Sequence, residues 1–99
     1  MGDKNKEHFY ALLLDTKNRI ISEQLISVGT LNASLIHPRE VFNPAIKASA
    51  NAIILVHNHP SGDCKPSKED ISVTKMLNES GELIGIKVLD HVVVGKGWV

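Results

Sequence analysis

Two short, uninterrupted apolar runs, residues 9–14 and 52–56, constrain the fold of this chain most strongly. Each run is too short for a buried helix and is typical of a β-strand covered on both faces. The polar cluster at residues 15–18 separates the first run from residues 19–28, which predict a second, more polar strand. A β-hairpin is the economical connection between these two strands.

The segment after Pro38 predicts a helix, because proline suits the first helical turn. The apolar residues that can share one face of it are Val41, Ala45, Ile46 and Ala48. Pro44 interrupts this pattern, since proline inside a helix removes a hydrogen bond. The alternative is a shorter helix with Asn43 as its N-cap and Pro44 as its first residue.

A second helix is predicted from Ser67 to about Ser80, with Gly81 as its stop signal. Ile71, Thr74 and Leu77 lie on one side of that helix. Residues 84–89 and 91–94 supply the last strand material. The order β-β-α-β-α-β predicts one α/β domain, with a mixed sheet flanked by helices.

The composition of the chain limits the classes of function and the cellular location that can be expected. The 99 residues are 42% hydrophobic and 22% charged, and eleven basic side chains balance eleven acidic ones. This balance argues against a broad nucleic-acid surface, which requires clustered Lys and Arg. Cys64 is the only cysteine, so no intrachain disulfide forms and a reducing, cytoplasmic location is expected. The apolar runs are too short for a membrane span, and no secretory signal is visible, so no membrane partner is expected.

His57 and His59 follow the apolar run at 52–56 and are two residues apart. A period of two places both imidazoles on the same side of a strand end. Asp70 falls in the first turn of the next helix, across a short loop from them. Two neutral imidazoles and one carboxylate suit zinc, and three protein ligands leave one position open, as in catalytic sites.

Other interpretations of these residues stay open. Ser67 and Asp70 also form a capping box, which needs no metal. Cys64 could replace Asp70 as a ligand, because thiolate binds zinc well. His91, next to Asp90, could orient a metal ligand or could make an ordinary hydrogen bond.

His57-x-His59, seven residues, Ser67, two residues and Asp70 resemble the JAMM motif at every position. The string from His57 to Gly62 is similar to the bacterial RadC family, which bears a DNA-repair label. The similarity also covers residues 9–15, 38–42 and 89–91. It identifies residues 1–99 as a RadC-like JAMM (MPN-type) domain, without the N-terminal helix-hairpin-helix region that RadC proteins usually carry.

The resemblance implies a cytidine-deaminase-like three-layer fold and zinc-dependent hydrolysis of peptide or isopeptide bonds. In that scheme His57, His59 and Asp70 bind one zinc ion per chain, and Ser67 hydrogen-bonds the water or the developing oxyanion. A glutamate just ahead of the first core strand acts as general acid and base on the bound water. That description indicates Glu7, although a strict count lands on His8. The fallbacks are Glu23 and Glu40.

Two other functions are alternatives to hydrolysis. A zinc deaminase needs His-x-Glu and a later Pro-Cys-x-x-Cys, whereas this chain has His59 and a single cysteine, which excludes that chemistry. A non-hydrolytic or nucleic-acid-associated metal-binding module is the second candidate. The neutral net charge and 4% aromatic content weaken direct nucleic-acid binding.

Overall fold

The computed structural model of the chain describes residues 6–60, 62 and 65–95. The elements in chain order are β1 (His8–Leu14), β2 (Ile20–Val28), a 3₁₀ turn (Ala33–Leu35), α1 (Pro38–Lys47), β3 (Ala52–Asn58), α2 (Lys68–Ile84) and β4 (Lys87–Val94). The strands form one mixed sheet in the order β2-β1-β3-β4. β1 is antiparallel to β2 and β3, and β3 is parallel to β4. The predicted α/β class and the predicted order of elements are confirmed.

The β1–β2 hairpin turns at Asp15, as the polar cluster predicted. Asp15 Oδ1 accepts hydrogen bonds from the backbone N–H of Lys17 and Arg19, each at 2.9 Å. The Arg19 Nε donates to Oδ2 at 2.8 Å. These donors, the Arg19 backbone N–H first, hold the pKa of Asp15 below its usual value. The turn is therefore fixed by one carboxylate that accepts several hydrogen bonds.

Both described helices pack against the same face of the sheet. The main buried residues on that side are Phe9, Leu13, Phe42, Ile53, Leu55, Val73 and Leu77. The two helices meet directly, because a Cβ at Gly81 of α2 would lie 3.3 Å from the ring of Phe42 in α1. The described residues thus form two of the three layers that the resemblance implied. None of the described helices is long and apolar enough to cross a membrane.

Helix α1 begins at Pro38 and continues through Pro44. The alternative helix that starts at Pro44 is therefore wrong. Pro44 costs the hydrogen bond that its N–H would give to Glu40 O. Burial of Val41 and Phe42 before the proline, and of Ala45 after it, keeps both halves of the helix on the core.

The sequence predicted that helix α2 stops at Gly81, and this is wrong, because the helix ends at Ile84. Gly85, in the left-handed region at φ +87°, is its C-cap. Gly81 lies inside the helix, and a side chain is excluded there because a Cβ would lie 2.3 Å from Ile86 O. Glycine is thus required by close packing, whereas the sequence suggested a stop. Ile71 is 62% exposed and does not share the buried face with Leu77. The buried residues of the helix are Asp70, Val73, Leu77 and Gly81.

The two segments predicted to form strands at residues 84–89 and 91–94 contribute to a single strand, β4. Ile84 belongs to helix α2 and not to this strand. Ile53 pairs with Val88, and Ile54 pairs with Asp90, so Leu89 is an extra residue in β4. Such a bulge reverses the face on which the following side chains lie. It places His91 beside Leu55, on the side of the sheet that faces the helices.

Candidate metal centre

The carboxyl end of β3 faces the first turn of α2, and this places the predicted ligands together. His57 Nδ1 lies 2.6 Å from Asp70 Oδ1, and His59 Nε2 lies 3.2 Å from Asp70 Oδ2. The side chains of His57 and Asp70 are each 1% exposed, and that of His59 is 12% exposed. The two histidines and the aspartate, thirteen residues apart at most in sequence, are therefore one contiguous cluster.

Ser67 holds the Asp70 carboxylate. The Ser67 backbone N–H and hydroxyl donate to Asp70 Oδ2 at 2.7 and 2.8 Å, and the Asp70 N–H donates to Ser67 Oγ at 3.1 Å. This is the capping box that the sequence left open as an alternative. Burial raises the pKa of Asp70, but the Ser67 donors and His57 together outweigh burial and hold that pKa below its usual value. Asp70 is therefore an ionised carboxylate in a fixed orientation.

The ionised carboxylate decides which nitrogen of His57 carries the proton. A carboxylate only accepts, so His57 Nδ1 donates to Asp70 Oδ1. In the neutral ring, Nε2 is then a bare lone pair. It is buried, has no hydrogen-bond partner among the described residues, and lies 3.5 Å from Glu7 Oε1. A buried imidazole nitrogen with a free lone pair fits a bound cation.

Glu7 reaches this cluster through the register of the sheet. Phe9 of β1 pairs with His57 of β3, so Glu7, two residues earlier, shares its face and extends toward His59. His8 lies on the opposite face, where its ring stacks on Tyr10 at 6.1 Å. Alternation along β1 therefore favours Glu7 over a strict count that lands on His8.

The two fallback glutamates lie elsewhere. Glu23 is an exposed residue of the edge strand β2. Glu40 is exposed in the first turn of α1 and lines a separate cleft with Ile84. Neither belongs to the groups of residues that could hold a metal in the described part of the chain.

The described residues offer two overlapping groups with ligand atoms within 4.8 Å of one another, one of Glu7, His57 and His59 and one of His57, Asp70 and His91. The predicted trio of His57, His59 and Asp70 is divided between them, and His57 joins the two. The residues present thus fit a metal ion, and the ligand set stays a prediction. Cys64, the alternative ligand, lies outside the described residues.

A cleft of about 870 Å³ opens beside His57 and His59. Its walls also include Glu7, Ser67, Gly29, Thr30, Leu31, Pro60 and Pro66. The cluster is therefore open to a molecule larger than water on the side of Glu7 and His59.

The sequence interpretation gave no role to Asn58, which is 1% exposed. Its Oδ1 accepts a hydrogen bond from the His8 backbone N–H, and its Nδ2 donates to Lys6 O at 2.9 Å. The alternation of His57, Asn58 and His59 was the available signal, because it turns Asn58 to the face opposite the histidines.

His91 was predicted to orient a ligand or to make an ordinary hydrogen bond. Its side chain is 6% exposed, and its ring lies 5.8 Å from that of Phe9. Burial lowers the pKa of His91 below its usual value, although the Asp70 carboxylate acts in the opposite direction. The carboxylate of Asp90 accepts a hydrogen bond from the backbone N–H of His91 at 2.8 Å. His91 is therefore a buried, neutral imidazole beside the cluster.

A family model described as the RadC-like JAB domain matches residues 1–99. The chain belongs to this family, in agreement with the resemblance of its motif. JAB domains include metalloisopeptidases.

Curated relatives extend the comparison. A UPF0758 protein of Finegoldia magna is 65% identical over 94 residues, which is 95% of this chain and 42% of the relative. A UPF0758 protein of Geobacter sulfurreducens is 59% identical over 95 residues, which is 96% of this chain and also 42% of the relative. A UPF0758 protein of Methanosarcina barkeri is 54% identical over 97 residues. The chain thus spans about two fifths of the length of these relatives.

Proposed function

We propose that this domain is a zinc-dependent hydrolase of peptide or isopeptide bonds. His57, His59 and Asp70 hold the metal ion, and Glu7 is the general acid and base. The observation that carries the proposal is the buried lone pair of His57 Nε2, which faces Glu7 Oε1 at 3.5 Å beside His59. A buried imidazole lone pair, a second imidazole and the Glu7 carboxylate beside one cleft suit a divalent cation and a proton-transfer group.

Zinc, when bound, supplies Lewis-acid activation of a water molecule and of the scissile carbonyl. The residues of the chain do the rest. Glu7, 25% exposed, is open to the cleft and accepts a proton from the attacking water. It then gives that proton to the leaving nitrogen, so that one water and one amide yield an acid and an amine.

Ser67 has a different part in this proposal from the one that the resemblance implies. Its hydroxyl proton is committed to Asp70 Oδ2, and its oxygen accepts from the Asp70 N–H. Ser67 therefore orients the carboxylate that binds the metal. Its role as a donor to an oxyanion stays a prediction for the zinc-loaded protein.

Metal analysis of the purified protein tests the proposal first. We expect about one zinc ion per chain, with most of it lost in His57→Ala and in Asp70→Ala. Cys64→Ser is the matched control and should keep its zinc. Retention of zinc by Asp70→Ala together with its loss in Cys64→Ser would show that the ligand set is wrong.

Hydrolysis is tested with zinc-loaded protein and a panel of peptide-linked and isopeptide-linked fluorogenic substrates. The expected result is zinc-dependent cleavage that His57→Ala lacks. Full zinc occupancy without cleavage across the panel would favour the non-hydrolytic metal-binding module.

A further inference from the structure

One side of the cleft beside His57 and His59 is formed by a short stretch of chain after β2, which we call the wall segment (residues 29–33). Gly29, Thr30 and Leu31 of this segment line the cleft. Residues 29–32 belong to no strand or helix, and only Leu31 among them is buried in the core. The position of the wall segment therefore depends on the hydrogen bonds at its two ends.

The first end of the wall segment is held by the backbone of the proposed general base. The Gly29 N–H donates to the carbonyl oxygen of Glu7 at 2.8 Å. Gly29 has φ +109°, in the region that favours glycine, so the chain can turn out of β2 at this residue. The wall segment thus begins beside Glu7.

The second end is held by a side chain of α2. Glu69 Oε2 accepts a hydrogen bond from the Ala33 N–H at 2.8 Å, and the two residues are 36 apart in sequence. Ala33 is the first residue of the 3₁₀ turn, where the N–H has no partner within the turn. Asn32 Oδ1 accepts from the N–H and the hydroxyl of Ser34. Glu69 thus supplies the acceptor that the Ala33 N–H would otherwise lack.

Glu69 and Asp70 are neighbours in the first turn of α2, but they contact different parts of the site. Asp70 is 1% exposed and lies against His57 and His59. Glu69 is exposed and lines the cleft together with the wall segment. The start of one helix therefore holds both a predicted metal ligand and the wall of the cleft beside it.

We propose that Glu69 is a positioning residue that holds the wall segment in place for a bound substrate. Its carboxylate ties Ala33 to α2, so the wall is ordered before a substrate enters the cleft. A wall that becomes ordered only on binding would weaken substrate binding, because the loss of conformational freedom opposes association. The effect on substrate rests on the proposed function, whereas the hydrogen bond itself involves no metal ion.

The test compares Glu69→Ala and Glu69→Gln in the full chain, with Glu79→Ala, which removes another exposed acid of α2, as the control. Glutamine keeps a side-chain oxygen at the same reach and can still accept from the Ala33 N–H. The readouts are amide hydrogen exchange of the wall segment, the zinc Kd from competition with a chromophoric chelator, and the steady-state kinetics of a peptide that the wild type cleaves.

We expect the Ala33 N–H of Glu69→Ala to exchange about 10-fold faster than in the wild type, because it has lost its acceptor. KM should rise about 10-fold, since the wall must then be ordered on binding. The kcat, the zinc Kd and the melting temperature should stay near their wild-type values, which separates this role from a general loss of structure. Glu69→Gln and Glu79→Ala should match the wild type in every readout.

Three results would overturn the inference and leave the proposed function intact. Unchanged exchange of the Ala33 N–H in Glu69→Ala would show that Glu69 does not hold the wall segment. Faster exchange with an unchanged KM would show that the ordered wall does not assist substrate binding. Loss of zinc in Glu69→Ala would show that the residue acts on Asp70 instead. A wild-type protein that cleaves no peptide would remove the proposed function and the effect on KM with it, and the exchange rates would still decide whether Glu69 holds the wall segment.

Discussion

The side-chain amide of Asn58 binds the peptide groups on both sides of Glu7. Its Oδ1 accepts from the His8 N–H, its Nδ2 donates to Lys6 O, and the carbonyl of Glu7 itself accepts from the Gly29 N–H at 2.8 Å. The backbone that carries Glu7 is therefore fixed on every side, whereas the carboxylate is free to reach into the cleft. The carboxyl end of β3 thus supplies both histidines and the asparagine amide that holds the backbone of Glu7 opposite them.

Asn58→Ala should destabilise the protein without removing its zinc. The substitution leaves the buried His8 N–H without its partner and removes one of the two contacts of Lys6 O, which costs about 2 kcal/mol of unfolding free energy. The metal ligands on the other face of β3 are unchanged. Urea unfolding and zinc analysis check both expectations, with the exposed Asn43→Ala as the control. Equal stability of the two variants would show that the hydrogen bonds of the Asn58 side chain contribute nothing to the free energy of unfolding.

The sequence predicted the elements whose residues carry local signals. Continuous apolar runs predicted β1 and β3, and the Ser67–Asp70 capping box predicted the start of α2. The His-x-His spacing predicted that two imidazoles share a face, and the structure places both beside Asp70. These signals are read from neighbours in the chain, so no tertiary contact is needed to recognise them.

The features that the sequence did not predict depend on distant residues. Gly81 resembles a helix stop, and its true reason is the close approach of Ile86 O. His91 shares a face with His57 only because Leu89 is an extra residue in the parallel pairing of β3 and β4. Neither a close approach nor a bulge leaves a pattern in the local sequence, since each is set by the partner strand or loop.

Removal of zinc should loosen the protein without unfolding it. The core of Phe9, Leu13, Ile53, Leu55 and Leu77 is buried independently of the metal, unlike the core of a zinc finger. We expect chelation to lower the melting temperature and to leave the far-ultraviolet circular dichroism spectrum of an α/β protein. A random-coil spectrum after chelation would identify a structural metal site and remove the main support for the catalytic interpretation.

Acid should weaken the zinc-free protein through Asp70. The folded state holds the pKa of Asp70 below its usual value of 3.8, so the carboxylate contributes stability above that pH. The contribution is lost as the pH falls through 3.8 toward the folded pKa, because protonation then favours the unfolded chain. The difference in unfolding free energy between wild type and Asp70→Asn should therefore shrink from about pH 5 to about pH 3. A constant difference across this range would contradict the assignment of the ionised form.

Gly81→Ala should destabilise the protein, although alanine is the better helix former. The new Cβ would lie 2.3 Å from Ile86 O, and the backbone after α2 must move to relieve that contact. Overpacking of this kind costs about 1–3 kcal/mol. Thermal unfolding measures the loss, and the exposed Glu79→Ala on the same helix should show little change. Stabilisation by Gly81→Ala would mean that helix propensity outweighs the contact with Ile86.

Glu7→Gln tests the general acid and base directly. The amide is nearly isosteric with the carboxylate, and Glu7 contributes no ligand in the proposed set, so the fold and the zinc content should be preserved. Glutamine cannot accept the proton of the attacking water, and loss of this transfer typically lowers the rate about 10²- to 10⁴-fold. Steady-state hydrolysis of a substrate found with the wild type measures the effect.

The control for this substitution is Glu82→Gln, because Glu82 is an exposed acid on α2. Its activity should equal that of the wild type. If Glu7→Gln keeps its activity as well, Glu7 is a solvated acid of the N-terminal segment, and the proton must be carried by another group. If Glu7→Gln loses zinc along with activity, the Glu7 carboxylate belongs to the ligand set with His57 and His59, as the proximity of their ligand atoms would then explain. Loss of activity with zinc retained is the result that the 3.5 Å approach of Glu7 Oε1 to His57 Nε2 predicts.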